Sequence, residues 1–210
     1  MNHMSHMNHH QQFRKHLDGL PDAEQLLAVC RKYKTATDSF AFDLNGRLKG
    51  GGAIEPYIRE VAFLKRLICA KLDRPITLYR MTSVESFSAS VTEVLSGPFQ
   101  YRAFMSTASE SMKLADFLPS KSEQALLLKI ECPPGTTFAP IDLFAGTEED
   151  EYLLGCGTRF ALTNPLKALH GPELDKLLLM SRLSSLPLLQ LKVIANPPYV
   201  NPENVVQLHD

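Results

Sequence analysis

Apolar positions recur at helical spacing through the first third of the chain and at alternate positions after it. Leu26, Leu27, Cys30 and Tyr33 share one face of a helix opened by Pro21 and Asp22. Ile58, Val61, Ala62, Leu64 and Ile68 predict a second helix over 55–72, with Pro56 in its first turn. Between them, residues 34–42 have no clear period, and Asn45-Gly46 with Gly50-Gly51-Gly52 predicts a flexible connection. A phosphate cradle is a poor account of the three glycines, because no Gly-Lys-Ser/Thr follows them.

From Pro75 onward the period shortens to two, the signature of strands. Ile76, Leu78 and Arg80 then share one face, which puts an arginine on the side expected to point inward. Ser83 can cap a helix that runs to Leu95 and is closed by Gly97-Pro98. Residues 99–108 read as a strand with Phe104 and Ser106 on one face, and 109–118 as a short polar helical excursion. The near-continuous apolar run from Ala125 to Cys132 predicts a strand buried on both sides. Pro133-Pro134-Gly135 forces a turn before a strand at 136–141. A helix over 173–185, an alternating strand from Leu189 to Ala195 and a short strand at 205–208 complete the pattern.

One stretch resists a purely structural reading. From Thr147 to Phe160, Glu148, Glu149, Asp150 and Glu151 run straight into an apolar strand. If the chain is extended from Glu149, Glu149, Glu151 and Leu153 share one face and Asp150, Tyr152 and Leu154 the other. A strand slipped by one residue would put Glu148 and Asp150 into that place instead. Taken alone, the run reads as a solvated acidic turn.

With 210 residues, 44% hydrophobic and 21% charged, the chain is long enough for one well-cored domain. A net charge of −1 gives no global basic surface for nucleic acid. Cys30, Cys69, Cys132 and Cys156 are scattered in apolar surroundings without CxxC spacing, so buried reduced thiols are expected. No apolar stretch reaches the length of a membrane span, and the N-terminus lacks a secretory core. His3, His6, His9, His10 and His16 crowd the start, and residues 1–16 read as a disordered leader or tag-like tail. The remainder, 17–210, is expected to form a single domain with a helical lobe at 17–73 and a β-rich core at 74–210.

Three separated pieces, Tyr79-Arg80, Ser106-Thr107 and Glu149-Asp150-Glu151, each sit on a predicted strand and occur in that order. This set resembles the Arg-Ser-Glu motif of mono-ADP-ribosyltransferases of the arginine-specific toxin and ecto-enzyme class. Phe-Met-Ser-Thr-Ala at 104–108 resembles that family's Phe-x-Ser-Thr-Ser strand, and Gly-Thr-Arg-Phe at 157–160 its Gly-Thr-x-Phe turn. The resemblance spans residues 20–165. Ala108 departs from the second serine, Arg102-Ala103 from a lysine-glycine, and the Leu-rich stretch at 173–188 lengthens a usually short connection, which suggests a partner- or inhibitor-binding feature.

The resemblance implies an α+β fold in which two small, antiparallel-rich sheets pack at a steep angle around an NAD cleft, with helices on the N-terminal side. It implies NAD as co-substrate and Arg80, Ser106, Glu149 and Glu151 as catalytic residues. Tyr79, Arg80, Met81, Ser106, Thr107, Phe117 and Glu151 would line the NAD site, and Phe144 with Glu149 would meet the target. The chemistry agrees with these residue types. Breaking the nicotinamide–ribose bond builds positive charge on the sugar, which the Glu151 carboxylate would stabilise. A permanently charged arginine suits a phosphate, and an acceptor guanidinium needs a base, here Glu149.

The implied protein is a bacterial effector or toxin, secreted without a signal peptide and acting in the cytoplasm of a target cell. Its partner would be a target protein modified on arginine, with room for an immunity protein or chaperone, and no metal or membrane. Transfer to RNA or an acidic side chain, NAD hydrolysis alone, and a catalytically inactive protein-binding module are the competing readings.

Overall fold

The structure, a computed structural model, describes residues 7–35, 37–147, 149–178 and 183–210. Four helices come first: α1 (His9–Asp18), α2 (Ala23–Lys34), α3 (Phe40–Gly50) and α4 (Ile58–Leu67). Then follow β1 (Ala70–Lys71), β2 (Ile76–Ser83), α5 (Val84–Ser96), β3 (Phe99–Gln100), β4 (Met105–Ala108), β5 (Ala125–Cys132), β6 (Phe138–Pro140), β7 (Glu151–Leu154) and β8 (Arg159–Leu162). The chain closes with β9 (Lys167–Leu169), α6 (Gly171–Leu178), β10 (Leu186–Ala195) and β11 (Val206–Gln207). Among the described residues, no helix is long and apolar enough to cross a membrane.

The strands join in one path, β11-β1-β6-β7-β4-β2-β5-β10-β8-β3, with β9 on β10. β2 pairs with β5 over its whole length, from Ile76↔Cys132 to Ser83↔Ala125. Its link to β4 on the other side is the single pair Tyr79↔Ala108. The two strand groups of the expected α+β fold thus meet at one point, and Arg80 and Ser106 lie on either side of that junction. Two apolar clusters form around it. Leu78 belongs to the larger, with α1–α4, Phe104, Phe138 and Leu153, whereas Met81 joins a smaller one with Leu114, Leu127, Leu174 and Leu188.

Several expectations change. Residues 9–16 lie within α1, which Asn8 caps with a reciprocal bond to Gln11. Phe13 on this helix is fully buried, so residues 9–16 pack onto the core; residues 1–6 of the expected leader lie outside the described residues. The Asn-Gly and glycine-rich stretch contains α3, whose Phe40 and Leu44 are fully or almost fully buried. Glycine at 46 hid it from a propensity reading, and tertiary burial outweighs that cost. The 99–108 strand is broken into β3 and β4. Leu174, Leu178, Leu186 and Leu188 of the Leu-rich stretch are spent on the second core; residues 179–182 of that stretch lie outside the described residues.

Candidate active site

β2, β4 and β7 bring the predicted residues together. Ala108 pairs with Glu151 and Ser106 with Leu153, which fixes the register and puts Glu151 at the start of β7. The slipped alternative is excluded for Asp150, and Glu148 lies outside the described residues. Asp150 has a left-handed backbone, φ 54°, immediately before the strand. The alternation argument therefore does not reach Glu149, which lies outside β7. Its carboxylate is nevertheless directed to the same place as that of Glu151.

That place is the ammonium of Lys34, the last residue of α2. Lys34 Nζ contacts Asp142 Oδ1 at 2.7 Å, Glu151 Oε2 at 2.5 Å and Glu149 Oε2. Asp142 also accepts the main-chain N–H of Glu151 at 2.9 Å through its other oxygen. Burial opposes the charge on Lys34, but the attraction of Glu151 and hydrogen bonds to Asp142, Glu149 and Glu151 raise its pKa overall. Glu151 is buried, and burial raises its pKa; Lys34 and Ser106 partly offset this, while Asp142 adds to it. Among the described residues, Asp142, Glu149 and Glu151 form the grouping whose spacing would suit a metal ion, and any such ion would have to displace the ammonium.

Ser106 lies beside Glu151 and the phenol of Tyr33, and its hydroxyl favours the charged form of both. Tyr33 accepts from Asn45 Nδ2 at 2.8 Å, and Asn45 Oδ1 accepts the N–H of Phe104 at 3.1 Å. Burial pushes the Tyr33 phenol up to about 12, so it stays protonated as a donor. Arg80 Nη1 donates to the carbonyl of Ser106 at 2.8 Å, which orients the guanidinium.

The other predicted positions divide. Tyr79 is half-buried and packs with the smaller cluster, and Met81 is buried there. The Thr107 hydroxyl donates to the carbonyl of Tyr152 at 2.6 Å and is buried, so it ties β4 to β7. Phe117, at the end of a 3-10 segment (Ser111–Phe117), is 47% exposed. Phe144 is half-buried; the Arg31 guanidinium carbon lies 4.5 Å from its ring centre, and with Arg14, Leu27 and Lys32 both line an open pocket of about 740 Å³.

Lys34, Asp142 and Asn45 were not singled out from the sequence. A lysine in the last turn of a helix is common for dipole reasons, and Asn45 was hidden in a presumed turn. The four thiols are buried and unpaired, and burial pushes Cys30 and Cys132 up to about 12.

No protein-family profile and no curated protein sequence matches the chain. Solved structures do. C3larvin, an ADP-ribosyltransferase toxin from Paenibacillus larvae, superposes with a TM-score of 0.58 at 16% identity over 91% of this chain and 96% of its own. Plx2a, an ADP-ribosyltransferase toxin from the same organism, gives 0.56 at 16% identity over 80% and 86%. BECa, an ADP-ribosylating toxin of a binary enterotoxin of C. perfringens determined with NADH, gives 0.59 at 17% identity over 78% of this chain and 42% of that one. The chain has the ADP-ribosyltransferase toxin fold.

Proposed function

We propose that the protein is an NAD-dependent mono-ADP-ribosyltransferase that moves ADP-ribose from NAD to an arginine side chain of a target protein and releases nicotinamide. The observation that carries this reading is the meeting of Arg80, Ser106 and Glu151 on three neighbouring strands, with Glu149 turned toward the same point.

The residues present suit NAD: a half-buried guanidinium for a phosphate, an exposed aromatic at Phe117, and a buried carboxylate for the ribose. In the reaction the nicotinamide–ribose bond breaks, its electron pair leaves with neutral nicotinamide, and a guanidine nitrogen bonds to the same ribose carbon. Glu151, with Ser106 beside it favouring its charged form, offers negative charge to the sugar as its positive charge grows. Glu149, whose side chain is 46% exposed, can meet an acceptor from solution and take the proton that the guanidinium loses. Phe144 and the 142–147 loop would read the target. The setting in which this activity makes sense is that of a bacterial effector acting inside another cell.

Incubation with labelled NAD and a cell lysate, followed by protease or ribonuclease, tests the reading. Label should be lost to protease and should survive ribonuclease, with release by the chemistry that cleaves arginine-linked ADP-ribose. Label on RNA would redirect the acceptor, and neither label nor nicotinamide release would remove the enzymatic reading.

A further inference from the structure

Three carboxylates around one lysine are more than an ordinary ion pair. The Lys34 side chain is 3% exposed, against 46% for Glu149, 12% for Glu151 and 8% for Asp142. The cation is therefore enclosed by the carboxylates, and Glu149 is the one of the three that is open to solvent. It comes from the end of a helix, where the helix dipole favours a positive charge. Without it, three acids whose oxygens lie within 4.8 Å of one another would share a largely buried space. Like charges so placed cannot all remain ionised, and the group nearest the core would take up a proton.

We propose that Lys34 is a positioning residue for the transfer reaction: its ammonium turns Glu149 and Glu151 toward one point and keeps Glu151 charged beside the ribose. This rests on the reading of the site given above. Other charged or titratable groups face the cluster from each packed element. Cys30 and Tyr33 lie on α2, Arg80 on β2, and Arg14 on α1; His10 on α1 stands 4.0 Å from Asp150. Cys30 and Tyr33 stay neutral, because burial raises both. Among the described residues, Lys34 is the cation in direct contact with both glutamates.

The division of labour is specific. Asp142 holds one side of the ammonium and the N–H of Glu151, so Lys34 and the start of β7 are fixed by the same carboxylate. The acceptor base and the ribose carboxylate are then set relative to each other by a side chain that touches neither substrate. A loss of Lys34 should reduce the chemical step and move its pH dependence while leaving NAD affinity nearly intact.

The test compares wild type with Lys34→Met, Lys34→Arg and the double variant Lys34→Met/Asp142→Asn, which removes the excess negative charge if the single variant folds poorly. Nicotinamide release and transfer to a small guanidine acceptor are followed against pH, and the carboxylates are titrated by carbon NMR without NAD. Lys34→Met should lower kcat on the order of a hundredfold with KM for NAD within a few-fold, move the acid limb of the profile to higher pH and raise the Glu151 titration midpoint. Lys34→Arg should recover part of the rate and of the midpoint. The double variant should fold as wild type yet stay slow. An unchanged kcat, or a slowed enzyme with an unchanged Glu151 midpoint, overturns the proposal. If wild type itself neither releases nicotinamide nor modifies the acceptor, the functional reading fails; the NMR midpoints still show whether Lys34 holds the carboxylates.

Discussion

His10 Nε2 donates to the main-chain carbonyl of Glu151 at 3.2 Å, which hydrogen-bonds the first helix of the chain to the residue at the centre of the site. The neighbouring His9 bonds the Tyr152 hydroxyl at 2.9 Å, so α1 grips two successive residues of β7. Removing residues 1–16 would take away both contacts and the fully buried Phe13. Loss of a buried phenylalanine alone costs about 3–5 kcal/mol. The truncated protein should melt well below wild type and have a reduced rate; equal melting and rate in thermal unfolding and nicotinamide release would show that α1 is dispensable.

The two glutamates should separate in mutation. Glu151→Ala should remove both hydrolysis of NAD and transfer, because the charge beside the sugar is gone; a loss on the order of a hundredfold or more is expected. Glu149→Gln should remove transfer to arginine while appreciable nicotinamide release persists. Transfer at the wild-type rate by Glu149→Gln would show that Glu149 is not the base.

Which parts of this arrangement the sequence discloses follows from their range. Period-two alternation put Arg80 on the face of Leu78, and the register Ala108↔Glu151 keeps Ser106 and Glu151 on neighbouring strands. Such patterns are local and survive in the sequence. The convergence of Glu149 on the same point was expected for the wrong reason: the left-handed Asp150 and the pull of Lys34, not strand alternation, direct it. Lys34 and Asn45 were illegible, since each acts across more than fifty residues through a fold that no local pattern records. The capping role of Ser83, by contrast, was local, and its hydroxyl accepts the N–H of Ser86 at 3.0 Å.

Thr107 was expected among the residues that line the NAD site, but its hydroxyl is committed to the Tyr152 carbonyl. Thr107→Val keeps the shape and removes that bond, while the ladder pairing of Thr107 with Tyr152 remains. The cost should be about 0.5–1.5 kcal/mol of stability, with KM for NAD little changed. Denaturant unfolding and steady-state kinetics read the two quantities separately, and a large rise in KM with unchanged stability would return Thr107 to the ligand.

Gly155 lies in the turn between β7 and β8, against Tyr199, Pro197 and Ile68, with no space for a methyl group. Gly155→Ala must push Tyr199 and Pro197 aside, and overpacking of this kind costs about 1–3 kcal/mol. A lowered melting temperature is expected, and Gly155→Ala/Tyr199→Phe should recover part of it by removing one of the crowded atoms. No loss in the single variant would mean that the 196–200 segment yields freely.

The clasp between the two chain ends should respond to acid in two stages. His9 Nε2 donates to Asp210 Oδ1 at 3.1 Å while its Nδ1 faces the Tyr152 hydroxyl. Neutral His9 can accept from that hydroxyl; protonated His9 cannot. Burial lowers its pKa below the ordinary 6.5, with Asp210 only partly opposing this. The unfolded chain therefore takes up the proton first, and stability should begin to fall as pH drops below 6.5, levelling off once the folded histidine is itself protonated. Asp210 responds lower down. Its hydrogen bond from Arg74, followed by the charge of Arg74 and the bond from His9, holds its pKa at about 2 against 3.8. The stability it contributes is present above 3.8 and is lost as pH falls through about 2. Melting temperature measured from pH 8 to pH 2 should show both declines in wild type. His9→Gln should flatten the upper one and Asp210→Asn the lower; a wild-type decline below 6.5 that persists unaltered in His9→Gln would assign it to another group, with the half-buried His16 the next to test.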